Sequence, residues 1–446
     1  MNFRLRNLLL LSILLATIAL LMAAGSAPAF GAHVDRGFGT NGVSFLPRSL
    51  GSIRGVALLG DGRVLVGDDG GATAILASGE VDPNFGEAGH AALAVPPSAS
   101  STGVSEVKVD PDGRPVLVGS AGFDSAELEF GKFRQDPFIE RLTPEGHPDP
   151  SFGQGTGYVV GGIPVPPPKK GEPLDAYVGE VSFDSAGRIL VTGSSTISTF
   201  AGVKGPKSKS RQFLARLQSS GAIDKSFADQ GTFTLPGSGF GPSRPPWAVG
   251  PQNQVTVAID QFSLLRLAEN GRPELNFGTR GHAPLPPDGE FSPLLVDSSG
   301  RTIVEHYLQG VEHRRPNGIA IRRLRPDGSL DRSFGDDGVK RLRLRRFYTA
   351  DLALDDHDRI LMAISLKAPG EVGEPNDVAL MRLRRDGRPD KAFAHNGLLR
   401  IPFPTRPQRS IYVEGFDVRG GQAAISATEC GANCKPIVVL VDLGGR

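Results

Sequence analysis

The chain has 446 residues, with 49 Lys plus Arg against 48 Asp plus Glu, and 58 Gly with 36 Pro, so about one residue in five punctuates the backbone. Usual usage is roughly 7% Gly and 5% Pro, and these are the poorest helix formers, so a helix bundle or long coiled coil is excluded. A hydrophobic content of 39% with balanced charge excludes a disordered chain, and the near-zero net charge gives no footprint for nucleic acid.

Taken in chain order, the first element is an address. Arg4 and Arg6 precede an apolar run from Leu8 to Ala24, and Ala27-Pro28-Ala29 offers an A-x-A cleavage site. This is the layout of a secretory signal peptide over residues 1–29, with an uncleaved N-terminal anchor as the alternative. The only cysteines are Cys430 and Cys434, so no lipid attaches at the cleavage site. No later segment is apolar for long enough to span a bilayer. The expected location is secreted or cell-surface associated.

A phrase then recurs seven times. It runs Asp35-Arg-Gly-Phe38-Gly39-Thr-Asn-Gly42 and Asp82-Pro-Asn-Phe85-Gly86-Glu-Ala-Gly89. It returns from Asp149 through Phe152, with one extra residue before Gly157, and from Asp224 through Phe227. The last three copies carry Glu274 with Phe277, Asp331 with Phe334, and Asp390 with Phe393. Gly42 to Gly397 is 355 residues over six intervals, a mean period of about 59.

The segments between phrases are alike. Glu106-Val-Lys-Val-Asp-Pro-Asp-Gly-Arg114-Pro-Val-Leu-Val-Gly119 is typical. Two β-rich runs flank an Asp/Gly turn, the signature of a hairpin. A third run follows, such as Phe138-Ile-Glu-Arg-Leu142, then the phrase and a short fourth run. Four strands per repeat at this period indicate a propeller blade, so residues 34–446 are expected to form one all-β, seven-bladed propeller. The C-terminal run from Pro436 reads as a third strand without a phrase, and the mature N-terminus has the phrase and a fourth strand without the first three. Residues 34–47 are therefore expected to close the last blade and remove its open edge.

The recurring Phe is expected to be buried at each blade turn. The recurring acid is expected to accept backbone N–H groups within the turn. The rival for the acid is a calcium loop in the sixth copy, where Asp327, Asp331, Asp336 and Asp337 cluster without the usual ligand spacing. His90 and His282 share a repeat position and read as turn residues.

The phrase, the period and the preceding Arg-Leu strand resemble the delta-60 repeat of secreted and surface-associated bacterial proteins. The closest copy runs from Arg323 to Gly338, and the resemblance covers essentially all of residues 34–446. The departures are Ala228 and Ala394 for the motif's second Gly, Glu274 for Asp, and Asn253-Gln254 and Gly421-Gln422 for the Gly-Arg hairpin.

Strand alternation sends the repetitive turns to one face and the variable loops to the other. The variable set is 120–137, 164–176, 194–212, 236–246, 308–317 and 366–377, and binding is expected there. Within it Lys204, Lys207, Lys209 and Arg211 form a basic loop, read either as a solvated insertion or as a dock for an acidic surface or polymer. Glu106, Glu180 and Asp351 align near the start of the first strand, with Glu414 nearby in a one-residue ambiguity. Around a channel they would form either a hydrated polar lining or a divalent-cation site, with calcium the candidate. Cys430 and Cys434 read as a disulfide, with a two-thiolate metal site or a redox pair as the rival.

No G-x-S-x-G, H-E-x-x-H or phosphate-cradling glycine motif is present. The leading expectation is a non-catalytic binding propeller, monomeric and without cofactor, whose partner is an extracellular protein, glycan or small molecule. The alternatives are a metal-dependent, lactonase-like hydrolase at the channel mouth and a purely structural surface module.

Overall fold

A computed structural model of the chain describes residues 31–47, 50–124, 133–164, 174–200, 206–236, 245–286, 289–308, 318–343, 347–366, 375–401, 409–431 and 433–444. The signal-peptide stretch 1–29, Lys204 and parts of the variable loops lie outside these residues. No helix among the described residues is long and apolar enough to cross a membrane.

Seven antiparallel sheets form a ring of seven blades, the first six with their strands side by side in chain order. Blade 1 comprises Ile53–Leu58, Val64–Asp68, Gly71–Ile75 and His90–Ala92. Blade 2 comprises Ser101–Val109, Pro115–Asp124, Phe133–Arg141 and Tyr158–Val160. Blade 3 follows with Leu174–Phe183, Ile189–Phe200, Pro206–Leu217 and Thr232–Thr234, and blade 4 with Trp247–Val249, Val255–Asp260, Ser263–Leu267 and His282–Pro284. Blade 5 is Gly289–Val296, Thr302–Leu308, Gly318–Leu324 and Val339–Leu342. Blade 6 is Phe347–Leu354, Ile360–Leu366, Asp377–Leu383 and Leu398–Ile401. His90 and His282 thus open fourth strands instead of sitting in the turns, and His90 Nε2 lies 3.1 Å from Asp68 Oδ2.

Blade 7 joins the two ends of the chain. Ser410–Arg419, Gln422–Cys430 and Cys434–Gly444 are its first three strands, and Val43–Phe45 pairs onto the third with Val43 opposite Val439. One element was not foreseen. Gly31–Val34 also pairs with Cys434–Gly444, Gly31 opposite Gly444 and Val34 opposite Val441. The repeat explains it. Val34 takes the place of Val81, which bridges back to Ile75 in blade 1, and the same bridge recurs as Leu142–Pro148 and Leu324–Leu330. In those repeats a turn joins the two partners; in blade 7 the two chain ends meet there instead.

The core is divided in the same way. A blade buries neither face alone, and apolar residues collect into seven clusters, one at each junction. Val116, Ile139 and Phe152 of blade 2 pack on Val178, Val191 and Phe213 of blade 3. Phe38, Ala424 and Leu440 of the closing blade pack on Val56, Val64 and Val66 of blade 1.

Candidate functional site

The repetitive turns share one face. Arg63, from the first hairpin of blade 1, donates Nη1 to Asp82 Oδ2 of that blade's phrase at 2.9 Å. Arg114 lies 3.9 Å from Asp149 and Arg359 4.0 Å from Asp390. In six copies the phrase acid accepts the backbone N–H two residues on, as Gly37 to Asp35, Asn84 to Asp82, Ser151 to Asp149, Ser226 to Asp224, Ser333 to Asp331 and Ala392 to Asp390. Phe38, Phe85, Phe152, Phe227, Phe277, Phe334 and Phe393 are all fully buried.

A second function of the acid was missed in the sequence. An arginine eight residues earlier, at the end of the third strand, donates Nε to its Oδ2 at 2.8 Å in Arg141–Asp149, Arg216–Asp224, Arg323–Asp331 and Arg382–Asp390. Each guanidinium also covers the phrase Phe, with Arg382 at 4.4 Å from the Phe393 ring centre. Its Nη1 then reaches a carbonyl of the next blade: Ser219, Glu269, Arg385 and Leu443 respectively. Burial pushes Asp149, Asp224 and Asp331 up, but the bonds from Ser and Arg outweigh it and hold all three below the usual carboxylate range. In blade 4, where Glu274 replaces Asp, Arg266 Nε donates instead to Thr256 and Nη2 to Thr302, still over Phe277.

The departures from the repeat keep its geometry. Ala228 and Ala394 adopt φ +47° and +41°, close to the +55° of Gly335. Asn253 takes φ +60° at the blade 4 hairpin and accepts the N–H and hydroxyl of Ser185 from blade 3. In the sixth phrase Asp327 is engaged by Ser329, and Asp331 by Arg323 and Ser333. Among the described residues no three His, Cys, Asp or Glu side chains gather closely enough to hold a metal ion.

The channel is built by the first strands. In every blade but the fourth, whose described first strand pairs without a break, that strand has a bulge, between Val104 and Glu106, Val178 and Glu180, and Val413 and Gly415, for example. After the bulge Glu106 pairs with Val118, Glu180 with Thr192, Asp351 with Ala363 and Gly415 with Ser426. Glu106, Glu180 and Asp351 therefore occupy one ring. The ambiguity at Glu414 resolves to the bulge itself, the place held by Arg54 in blade 1. All four acids, with Arg54 and Lys108, line one cavity of ≈ 240 Å³.

Most of these carboxylates have internal partners. Glu106 Oε2 accepts the Val181 N–H at 2.7 Å, and its Oε1 is 3.7 Å from Lys108 Nζ. Glu180 Oε2 accepts the Trp247 indole N–H at 2.6 Å. One layer further along, Asp417 Oδ2 accepts the Leu58 N–H at 2.7 Å. The charge of Glu106 first, then those of Asp417, Asp351 and Glu180, hold the Lys108 ammonium well above the ordinary lysine range. Burial pushes Asp351 up to about 6, with Lys108 pulling the other way. Burial also raises Glu414, opposed by Thr428 and Arg54.

Lys108, Asp417 and Glu305 were not singled out in the sequence. Glu305 lies on the second strand of blade 5, fully buried, with no hydrogen-bond partner for either carboxyl oxygen. Burial first, and then the charge of Asp351, raise it well above the usual range.

On the opposite face the hairpins between second and third strands are unequal. Their strands run 10 and 9 residues in blade 2, 12 and 12 in blade 3, and 9 and 11 in blade 7. In blades 1 and 4 they run five or six. In the backbone register of the blade 3 hairpin Lys207, Lys209 and Arg211 stand opposite Thr199, Ile197 and Ser195. Exposed Arg134 and Arg400 are paired with Asp136 and Asp377, whereas Arg211 has no ion pair among the described residues. The Cys430–Cys434 disulfide closes the tip of the blade 7 hairpin, joining two residues in register.

A family model described as a domain of unknown function (DUF5122) beta-propeller matches residues 316–334. No curated protein matches the sequence. Among solved structures, a protein of unknown function from Bacteroides caccae is 13% identical over 66% of this chain and 87% of that one, with a TM-score of 0.34. A gluconolactonase from Xanthomonas campestris is 13% identical over 75% and 95%, with a TM-score of 0.34. The polysaccharide lyase Uly1 is 9% identical over 94% and 95%, with a TM-score of 0.42. At these values none of the three enters the argument about activity.

Proposed function

We propose that the chain is an exported delta-60 repeat protein that acts as a monomeric, non-catalytic binding propeller. Its partner, an extracellular protein, glycan or small molecule, is taken on the variable-loop face. The observation that carries this reading is the contrast between the faces. One is a set of short turns of like geometry around a buried Phe, tied by an Arg–Asp pair in most copies, and the other is raised in blades 2, 3 and 7, with a disulfide across one tip. Length added on one face of an otherwise regular scaffold is where recognition is usually placed. The signal-peptide layout and the disulfide both suit an oxidising compartment.

The hydrolase reading is weaker because Glu106 and Glu180 are engaged by a backbone N–H and an indole, and Lys108 already supplies a cation beside Glu106. Glycan and peptide arrays probed with the mature protein test the proposal. A reproducible ligand is expected, lost when the blade 3 hairpin is cut back from Ile197 and Lys209 to a short turn. No ligand on either array, together with metal-dependent turnover in an esterase and lactonase panel that a chelator abolishes, would overturn it.

A further inference from the structure

We infer that the channel of this propeller is a cation site whose occupant is the chain's own Lys108, so that its carboxylates serve an ammonium group in place of a metal. The inference is independent of which partner the outer loops take.

Three observations carry it. First, the first-strand register brings Glu106, Glu180 and Asp351 to one ring, and all line one cavity with Glu414. Against these four acids the lining offers only Arg54 and Lys108 as cations, and Arg54 is turned to Asp69 at 2.6 Å. Second, Lys108 is the residue placed among the acids. Its Nζ is 3.7 Å from Glu106 Oε1, and Asp417 stands at the equivalent position of blade 7, Lys108 pairing with Val116 and Asp417 with Ala424. Channel solvent still reaches 43% of the lysine side chain, so the ammonium stands beside Glu106, under the charges of Asp417, Asp351 and Glu180, without being sealed in. Third, Glu305 is fully buried with both oxygens unpartnered, and its face of blade 5 packs on blade 6, where Asp351 is the charge acting on it. A carboxyl left without any cation is kept neutral by a proton. One lysine therefore serves the ring, and a proton serves the carboxyl behind it.

A metal does not suit this arrangement. Among the described residues no three ligating groups converge on one point. Carboxylates spread around a cavity match the three divergent N–H donors of an ammonium better than the tight oxygen shell of calcium or magnesium.

The test is chemical rescue in the mature protein. Lys108→Ala is expected to lower Tm by several degrees, because it leaves the ring's carboxylates without their counterion. Ethylammonium is expected to restore Tm with a saturable dose dependence. Tetramethylammonium at equal ionic strength is expected not to, since it has no N–H to donate. The double variant Lys108→Ala, Glu106→Gln is expected to respond less. A Lys108→Ala protein that ignores ethylammonium, or a native protein whose Tm rises with calcium or magnesium, would overturn the inference. If Lys108→Ala does not fold, amine acylation of the native protein decides. Lys108 is expected to react at least about tenfold more slowly in the native protein than in the urea-unfolded chain, as its raised pKa leaves less free amine; equal rates would overturn it.

Discussion

At the scale of single residues, four copies of the repeat are held by a three-part contact: an acid that closes its own turn, an arginine that binds the acid, and a phenylalanine beneath the guanidinium. The first and third were legible, since turn chemistry and apolar recurrence are local properties. The arginine was visible too, at a constant eight residues before the acid, but spacing alone does not say that a strand end folds back on its turn. Lys108 and Glu305 were harder to see. Their neighbours Asp417 and Asp351 lie on other blades, far away in sequence, and no repeat alignment of one strand brings them together.

Glu140 is buried between blades 1 and 2, with one oxygen bonded to the Ala94 N–H and the other unpartnered, and burial raises it to about 7. A folded pKa above the unfolded one means the native state holds the proton more tightly, so its contribution is full at acid pH and is lost as pH rises from the unfolded value through 7. Glu140→Gln is therefore expected to unfold like the native chain at pH 4 and to gain on it towards pH 8, by up to about 3 kcal/mol in urea titrations. A constant difference across that range would contradict the assignment. Ala394 holds φ +41° where every other copy but that of Ala228 has Gly. Ala394→Gly is expected to raise stability by about 0.5–1 kcal/mol, strain relief exceeding the added chain entropy. Gly335→Ala should destabilise, as its new Cβ would meet the Val339 carbonyl at 2.6 Å.

At the scale of elements, the four-strand blade followed from runs and turns, and so did closure by the two termini. The strand Gly31–Val34 escaped notice because four residues with one clear apolar position carry no periodicity. Its place is dictated by the repeat, as the returning arm of a hairpin whose other arm ends the chain. That arm and Val43–Phe45 both pair with Cys434–Gly444, and Phe38 between them fills the junction of blades 7 and 1. Deleting residues 31–45 is thus expected to abolish cooperative thermal unfolding, and a peptide of the same residues added in trans is expected to restore it. An unchanged melting curve would show that the ring does not depend on this closure.

At the scale of the whole molecule, the sequence divided into a repeating part and a non-repeating part, and these fall on opposite faces. The repeating part was readable because each copy votes for the same geometry. The variable part was not, because each loop occurs once and nothing averages out. Its shape emerges from strand lengths: the adjacent hairpins of blades 2 and 3 and that of blade 7 stand out, and blades 1 and 4 stay short. Arg211 lies on the longest hairpin and has no ion pair among the described residues, which leaves it available to an acidic group on a partner.

The most direct measurement is the affinity of an array-identified ligand for three proteins: the native chain, the chain with a shortened blade 3 hairpin, and a chain substituted on the turn face at Lys225 and Lys391. Loss of binding in the hairpin variant alone, with all three unfolding cooperatively, is the predicted result. Equal loss in the turn-face variant, or retained affinity without the hairpin, would contradict a binding propeller that uses its variable face.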